Sequence, residues 1–304
     1  MPSKDFTKTI SIIGAGRLGA ALAIALDSRG YDVQAVVARR LNHAQKAARS
    51  LSSNSRALRE GQLGDLPDSN LFLISTPDDE INAVAAQLKV AKENSGRKGT
   101  VLHTSGALSS TVLDALAELG FHTGSLHPLV SISNPQIGAS AFGGAFFCLE
   151  GDKTAMRVGK GLVKDLGGRS FSIESRHKAL YHAAAVMSSG HVTALFDLAV
   201  EMLTNCGLTP DAARRILLPL LESTWKNLMT SDAAGALTGT FARGDEATVK
   251  KHLAALKGAK ISDALAVYRL LGERSLKLLA QKGGEPDVIK RISSMLTKLP
   301  RKIV

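Results

Sequence analysis

The chain has 304 residues, a length typical of about two domains that can each bury a core. Its formal net charge of +11 would suit binding to nucleic acid, but the basic residues are spread out and aromatic residues make up only 4%. We therefore expect no nucleic acid partner. The charge is instead expected to attract a polyanionic cofactor and an acidic substrate. The two cysteines, Cys148 and Cys206, have neither the number for a disulfide framework nor the spacing of metal ligands, so we expect a cytoplasmic protein without a metal. No apolar run reaches membrane-spanning length without a charge or glycine, so we expect no membrane partner.

A glycine-rich turn follows the first predicted strand, which covers 9–13. The turn reads Gly14-Ala15-Gly16-Arg17-Leu18-Gly19 and leads into an apolar helix. Gly14 permits the tight turn, Gly16 lets the backbone approach a pyrophosphate, and Gly19 lets the helix pack close to the strand. The first helix amides, at Arg17 and Leu18, then face the phosphates. This order predicts dinucleotide binding, and the alternative is a glycine-rich connection that binds nothing.

The end of the second predicted strand, 31–38, indicates which dinucleotide binds. Strands in this position usually end in an acidic residue that accepts hydrogen bonds from the ribose of NAD. This chain has Arg39-Arg40 instead, and a guanidinium suits the 2′-phosphate of NADP. We therefore predict NADP as the cofactor, with Arg39 as the leading contact and Arg40 as the second. The alternative is a pair of solvated arginines in a basic protein.

Short apolar runs alternate with helical patterns up to residue 174, as is typical of parallel βαβ units. In such open sheets the ligand lies beyond the carboxyl ends of the strands. The residues that follow three of the strands are therefore predicted to line one rim of the cofactor cleft: Ser75-Thr76-Pro77, Thr104-Ser105-Gly106 and His127-Pro128. The predicted strands are 71–75, 100–103, 122–126, 145–149 and 169–173, and the helices between them are 80–90, one that begins at Ser109, and 153–166.

The pattern becomes helical after Ser175 and remains so to the end. A long apolar helix is predicted over 178–205, a second from Pro210 to about Met229, and a third from Asp245 after a glycine-rich break. The predicted fold is α/β: a doubly wound Rossmann domain over residues 1–174, followed by an all-helical domain for substrate binding and dimerisation over residues 175–304.

Polar side chains line one face of the predicted long helix. Lys178, His182, Ala185 and Ser189 recur at helical spacing among apolar neighbours. Because burying polar groups without partners is costly, such a stripe either finds partners or serves a site. Lysine and histidine can each donate a proton as hydride reaches a carbonyl carbon. We predict that Lys178 or His182 is catalytic; the alternative is an exposed lysine and a core histidine with satisfied hydrogen bonds.

A second polar segment precedes the third long helix. Arg243 follows Leu237-Thr238-Gly239 and stands beside Gly244 and Asp245. Asp245 suits an N-cap, and that structural role is one reading of the segment. An arginine beside a helix start also suits a carboxylate, so Arg243 is a predicted substrate contact. His252, two turns on, either points into the cleft or lies on the surface.

Four runs of the chain resemble a known family. They are Leu102-His103-Thr104-Ser105-Gly106, Ser125-Leu126-His127-Pro128-Leu129, Tyr181-His182-Ala183-Ala184-Ala185-Val186, and Leu237-Thr238-Gly239 with Arg243-Gly244-Asp245. Together they resemble Rossmann-like proteins labelled NADP-dependent oxidoreductases, which carry a C-terminal domain of unknown function. That family is similar in build to pyrroline-5-carboxylate reductase, ketopantoate reductase and the 6-phosphogluconate dehydrogenase group, whose C-terminal helical domain it shares.

The resemblance implies an N-terminal NADP-binding domain, a helical domain that commonly forms a homodimer, and a cleft between them. Lys178 would take the place of the helix lysine of the better-known dehydrogenases, and His182 would also face the nicotinamide. The chain departs from the family pattern at Gly190, where an asparagine is expected, and at Thr240, where proline is expected.

These expectations combine into one hypothesis of function. The chain is predicted to be an NADP(H)-dependent oxidoreductase that reduces a small carbonyl or imine acid by hydride transfer. Arg243 would bind the carboxylate, Lys178 or His182 would donate the proton, and Ser105, His127 and Ser189 would contact the substrate. The alternative is a non-catalytic NADP-binding sensor or assembly module, which the glycine at 190 favours slightly.

Overall fold

The computed structural model describes residues 8–96, 98–259, 261 and 263–297. The chain divides into two compact units, Met1–Ser189 and Gly190–Val304. The predicted border lies at 174, whereas the first unit extends to Ser189. The reason is that Lys178 and Tyr181, on the helix that begins at Lys178, hydrogen-bond to residues of the sheet. Each unit is described by itself below.

The first unit is built on an eight-stranded sheet with the order β3-β2-β1-β4-β5-β6-β7-β8. All neighbouring strands are parallel except β6 and β7, which are antiparallel. The predicted Rossmann-like α/β fold is confirmed, but the expectation of parallel units up to residue 174 is wrong at this one pair. The strands are β1 Thr9–Ile13, β2 Asp32–Ala38, β3 Arg56–Arg59, β4 Leu71–Ile74, β5 Thr100–His103, β6 His122–Pro128, β7 Phe146–Gly151 and β8 Arg169–Ser172.

Helices cover both faces of the sheet because the central strands are apolar on both sides. Ile10 and Ile12 of β1 point into a core shared with the first helix, whereas Ile13 points into the core on the opposite face. The α-helices of this unit are α1 Arg17–Asp27, α2 Leu41–Ala48, α3 Asp78–Lys92, α4 Asp114–Ala117, α5 Pro135–Gly138, α6 Lys153–Asp165 and α7 Lys178–Met187.

The second unit is helical, as predicted. Its core forms around Val249, Leu276 and Ile292. The helices are α8 Gly190–Asn205, α9 Pro210–Thr230, α10 Ala233–Ala236, α11 Gly239–Ala242, α12 Glu246–Gly258, α13 Ala264–Gln281 and α14 Pro286–Thr297. Asp245 is the N-cap of α12, as predicted, because its side chain accepts a hydrogen bond from the Thr248 amide.

Two details of the helical prediction are wrong. The long helix predicted over 178–205 is interrupted by a turn at Ser188 and Ser189, where both hydroxyls donate back to carbonyls of the preceding turn. The predicted glycine-rich break holds the short helices α10 and α11, and the Asp232 side chain caps α10.

Candidate functional site

The glycine turn after β1 has the geometry that a dinucleotide requires. Gly14 has φ +108°, and its amide and that of Ala15 both donate to the Val37 carbonyl of β2. A Cβ at Gly14 would lie 2.5 Å from the Ser75 backbone, and a Cβ at Gly19 would lie 1.9 Å from the Gly14 carbonyl oxygen. Gly14 and Gly19 are thus required by close packing. At Gly16 no atom lies within 4 Å of the added Cβ, which leaves space in front of the α1 N-terminus.

A cavity of about 330 Å³ opens beside this turn, at the carboxyl ends of β1, β2 and β4. Thr76 lines it, and the buried Oγ1 of this residue has no hydrogen-bond partner within the described residues. An orphaned hydroxyl on a residue at the cavity wall fits a polar ligand. The glycines and this hydroxyl therefore fit a dinucleotide. Seven of the predicted cofactor residues line the cavity: Gly14, Gly16, Arg39, Arg40, Ser75, Thr76 and Pro77.

The remaining predicted cofactor residues lie around the cavity and do not line it. Arg17 is the exposed first residue of α1, and Leu18 packs against the core. Gly19 is buried in the contact between α1 and the turn. Thr104 donates a hydrogen bond to the Ser75 hydroxyl, 3.2 Å away, and so supports a residue that does line the cavity.

The far end of the cavity combines basic and acidic side chains. Arg39 and Arg40 follow β2, and His43 joins them from the first turn of α2. Arg39 forms an ion pair with Glu80 of α3. Glu60 also lines this end. The two arginines can bind an anion in the cavity, and the Glu80 carboxylate holds the Arg39 guanidinium in place.

A second group of polar side chains lies where β5 and β6 end and α7 packs on them; we call it the His127 cluster, comprising Ser105, Ser125, His127, Lys178, Tyr181 and His182. Lys178 is only 1% exposed, although it begins a helix. Its Nζ donates to Ser125 Oγ at 2.7 Å and to the Ser105 carbonyl at 3.2 Å. Burial lowers the pKa of Lys178, and the neighbouring Cys148 and Glu150 oppose this shift.

His127 is the centre of this cluster. Its Nδ1 shares a hydrogen bond of 2.7 Å with the Tyr181 hydroxyl, and its ring meets the His182 ring edge-on with centroids 5.6 Å apart. Burial lowers the pKa of His127 to about 4, and the charges of His182 and Lys178 add to the effect. His127 is therefore a neutral imidazole at pH 7, able to accept at one nitrogen and donate from the other.

Gly106 makes the close approach of the histidines possible. A Cβ there would lie 2.6 Å from His182 Cδ2, 2.8 Å from His127 Cε1 and 2.9 Å from His127 Nε2. Any larger residue would push the two rings apart. The predicted rim after β5 and β6 thus brings Ser105, His127 and His182 together with Lys178.

The side chains of His103 and Ser105 form hydrogen bonds with the backbone of the loop that follows β5. His103 is fully buried, accepts from the Ser105 amide at Nδ1, and donates from Nε2 to the Ser109 carbonyl. Burial lowers the pKa of His103 to about 4, and the charge of Lys178 acts in the same direction. The Ser105 hydroxyl accepts from the amides of Ala107 and Leu108. These bonds fix the loop that carries Gly106.

Glu150 of β7 supplies the negative charge nearest this cluster. Burial would raise the pKa of Glu150, but hydrogen bonds from Ser110 and Ser175 and the charge of Lys178 outweigh it and keep the pKa below its usual range. The Ser110 hydroxyl donates to Glu150 at 2.6 Å and the Ser175 hydroxyl at 2.9 Å. A charged carboxylate here offsets the burial of the Lys178 ammonium.

Three other candidates lie outside this cluster. Ser189 is exposed, and its hydroxyl donates to the Ala185 carbonyl of its own helix. Arg243 is exposed at the C-terminal end of α11, within the second unit. His252 is partly exposed, and its Nδ1 forms a hydrogen bond of 2.8 Å with the Tyr268 hydroxyl. The predictions for Ser189 and Arg243 as substrate contacts remain predictions.

Sequence reasoning missed several residues of both sites. His43 and Glu80 line the cavity, and the position of His43 just after Arg39-Arg40 was the available signal. Tyr181 and Cys148 were also missed as site residues, since their partners come from other strands and helices. Among the residues that the structure describes, no group of three or more His, Cys, Asp or Glu side chains could hold a metal ion.

One helical segment, Ser175–Asn205, is long and apolar enough to cross a membrane by length and composition. The core helix of a protein can have the same length and composition. Gly190, Asp197 and the turn at Ser188 interrupt it. Only 6% of its most apolar window is buried, so the part of the chain that the structure describes leaves most of these side chains uncovered.

Comparison with known proteins agrees with this architecture. Residues 4–128 match a Rossmann-like domain, and residues 145–275 match a domain of unknown function, DUF2520. No curated protein matches the chain significantly.

Several solved structures share the fold. A protein from Bacteroides fragilis described as a candidate NADP oxidoreductase has TM-score 0.69 and 23% identity, over 90% of this chain and 98% of that one. A protein from Thermotoga maritima has TM-score 0.68 and 22% identity, over 90% and 99%. A pyrroline-5-carboxylate reductase from Coxiella burnetii has TM-score 0.57 and 15% identity, over 96% and 100%. The chain thus carries a Rossmann-like domain and a DUF2520 domain in a fold that oxidoreductases share.

Proposed function

We propose that the protein is an NADP(H)-dependent oxidoreductase that reduces the C=O or C=N bond of a small carboxylic acid. The observation that carries this proposal is the glycine turn beside a cavity that Thr76, Arg39 and Arg40 line, with the buried Thr76 hydroxyl left without a partner among the described residues. When bound, the cofactor would supply a hydride from its nicotinamide. A DUF2520 domain follows the Rossmann-like domain, as in the proposed two-domain dehydrogenase build.

The arginines support NADP over NAD. Arg39, Arg40 and His43 present basic groups at the end of β2, and no acidic residue follows that strand directly. A guanidinium can donate two parallel hydrogen bonds to a phosphate. Glu80 holds Arg39 by an ion pair, so the 2′-phosphate would meet a guanidinium that is already positioned.

The His127 cluster supports acid–base chemistry. His182 contacts His127 and keeps partial exposure, so we assign it the proton that goes to the substrate oxygen or nitrogen. Lys178 is enclosed by Ser105 and Ser125, so we assign it the electrostatic support of the developing negative charge. Ser105, Ser189 and Arg243 stay the proposed substrate contacts, with Arg243 for the carboxylate.

The substrate class follows from the same groups and from one similar structure. An arginine for a carboxylate, together with a neutral histidine and a proton donor, suits a 2-keto acid or a cyclic imino acid. The Coxiella burnetii protein is named as a pyrroline-5-carboxylate reductase, and we extend an imine acid of that type to this chain as a candidate.

We also propose that the protein is a cytoplasmic homodimer. Helices α8 and α9 pack on each other, yet they leave Leu220 64% and Trp225 61% exposed. A patch of this kind usually marks an interface. A second copy would cover it with a similar apolar surface, since C2 interfaces are self-complementary.

One observation favours a second candidate, a non-catalytic NADP-binding sensor or assembly module. The Lys178 ammonium is already bonded to two oxygens and only 1% exposed, so it is not offered to a ligand. In that case the cluster would stabilise the fold alone.

The decisive experiment measures NADPH oxidation with a panel of 2-keto acids and cyclic imino acids, together with the dissociation constants of NADPH and NADH. We expect tighter binding of NADPH and turnover with at least one acid. Tight NADPH binding without turnover of any of them would favour the sensor, and weak binding of both dinucleotides would overturn both candidates.

A further inference from the structure

We infer that Tyr181 is a positioning residue that holds His127 in the tautomer whose Nε2–H donates a hydrogen bond to the carbonyl oxygen or imine nitrogen of the substrate. This inference rests on the proposed function for the identity of the acceptor. The part that concerns the tautomer does not depend on it.

The Tyr181 ring is fixed by contacts on both sides. It meets the His127 ring edge-on, with centroids 5.6 Å apart and planes at 88°. It meets the Phe171 ring of β8 in a similar way, with centroids 5.9 Å apart. These contacts restrict the hydroxyl to a position 2.7 Å from His127 Nδ1.

The length of that hydrogen bond indicates its direction. A distance of 2.7 Å is typical of a hydroxyl donor and is short for an N–H donor. Burial raises the pKa of the Tyr181 hydroxyl, so the hydroxyl keeps its proton at pH 7 and can donate it to Nδ1. Cys148, which lies directly opposite His127 in the antiparallel pair of β6 and β7, is the other neighbour of this hydroxyl.

A neutral imidazole that accepts at Nδ1 carries its single proton on Nε2. Burial keeps His127 neutral at pH 7. The Nε2 edge faces Gly106, which has no side chain, and the His127 ring lies beside His182. The hydrogen bond from Tyr181 to Nδ1 thus leaves the one N–H of His127 at Nε2.

His127 keeps the same protonation state throughout the proposed reduction. Hydride adds to the carbonyl or imine carbon, and the π electrons move to the oxygen or nitrogen. The Nε2–H of His127 stabilises the charge that develops on this atom, and the proton that completes the reduction comes from His182. A neutral imidazole suits this role because it donates a hydrogen bond without giving up its proton.

The second unit contains a matched control for this pair. His252 Nδ1 lies 2.8 Å from the Tyr268 hydroxyl, and the rings meet with centroids 5.7 Å apart and planes at 88°. This pair joins α12 to α13 and belongs to neither proposed site. The same substitution in both pairs separates a role in the reaction from a role in packing.

The first test reads the tautomers by two-bond ¹H–¹⁵N NMR of the histidines in the full-length protein at pH 7. We expect His127 to be protonated at Nε2, and we expect Tyr181→Phe to shift the His127 nitrogens while Tyr268→Phe shifts those of His252 only. A proton on Nδ1 of His127 in the wild type, or unchanged His127 signals in Tyr181→Phe, would overturn the inference.

The second test compares kinetics with the acid that turns over fastest. Tyr181→Phe should lower kcat/KM about tenfold with unchanged NADPH affinity, whereas Tyr268→Phe should have no effect. His127→Gln, which retains an amide N–H near the Nε2 position, should keep more activity than His127→Asn, which does not. Equal loss in the last two variants would refute the donor role. If the wild type turns over no acid, the proposed function fails, and the NMR experiment still decides the tautomer.

Discussion

The ammonium nitrogen of Lys178 lies 2.7 Å from the hydroxyl oxygen of Ser125, in a position that is 1% exposed. A cation so enclosed acts through its field more than through direct contact with a ligand. Its charge is one of the causes that lower the pKa of His127 and of His103. The lysine thus helps to keep both histidines neutral.

Replacing Lys178 with Met should therefore change titration as well as turnover. We expect the pKa of His127 to rise, because the nearby positive charge is gone, and turnover to fall by a factor of about 10 or more with unchanged NADPH affinity. NMR titration of His127 and steady-state kinetics measure the two effects. Lys160→Met, on the exposed surface of α6, is the control. Unchanged turnover would remove Lys178 from the mechanism.

Replacing Arg39 with Ala should weaken NADPH binding and leave NADH binding unchanged. The expected loss is roughly 10- to 100-fold, the range for a hydrogen bond to a charged group, and Arg40→Ala should cost less. Fluorescence titration with each dinucleotide measures it. Lys46→Ala removes a charge from α2 outside the cavity and should have no effect. Equal losses for NADPH and NADH in Arg39→Ala would argue against a 2′-phosphate contact.

The buried His103 should make the protein less stable in acid. Its pKa is about 4 in the folded state against 6.5 in the unfolded state, so the unfolded chain takes up the proton first as the pH falls. The stabilisation is complete above pH 6.5 and declines until about pH 4, by on the order of 3 kcal/mol. Protonation would also place a hydrogen on Nδ1, against the Ser105 amide. Urea unfolding between pH 7 and pH 4 tests this. His103→Gln should show a smaller decline, and an equal one would contradict the assignment.

Replacing Gly106 with Ala should damage the His127 cluster without affecting the dinucleotide cavity. The added Cβ would force the His127 and His182 rings apart, since it would lie 2.6 to 2.9 Å from their atoms. We expect kcat/KM to fall about 100-fold and the free energy of unfolding to fall by about 1–3 kcal/mol, with an unchanged Kd for NADPH. Gly161→Ala on α6, where no atom lies within 4 Å of the added Cβ, is the control. Full activity in Gly106→Ala would show that the two rings need not be adjacent.

Replacing Trp225 with Glu should break the proposed homodimer. The side chain is 61% exposed on α9 among other apolar residues, so a charge there would oppose burial against a second copy. Light scattering coupled to gel filtration should report a dimer mass for the wild type and a monomer mass for the variant. Val90→Glu, at a side chain that is 74% exposed on α3 of the first unit, should stay dimeric. A monomeric wild type would exclude the dimer.

The dinucleotide half of the molecule was predictable because its signals are local. The order of strand, glycine turn and helix from Thr9 to Asp27 appears as predicted, and Gly30 has the positive φ expected after a helix. By contrast, β3 was missed because only Leu58 of its residues is buried, so that its pattern is hardly apolar. Its strand conformation is stabilised by parallel pairing with β2, a long-range contact that the local sequence does not reveal.

The His127 cluster was only partly predictable. Lys178, His182 and His127 stood out by type and spacing, but Tyr181 resembled another apolar helix residue. Its partners come from β6, β7 and β8, and the reversed direction of β7 that places Cys148 opposite His127 has no local signal. Long-range pairing of this kind depends on the whole sheet.

The extension of the first unit to Ser189 matters for any division of the gene. A fragment that stops at residue 174 would lack Lys178 and Tyr181, and Ser125 and His127 would face water where they now have partners. A fragment that stops at Ser189 would retain both contacts and end in a turn, where a new chain terminus is least disruptive. Recombination between relatives should therefore exchange segments after Ser189, so that α7 is inherited together with the sheet on which it packs.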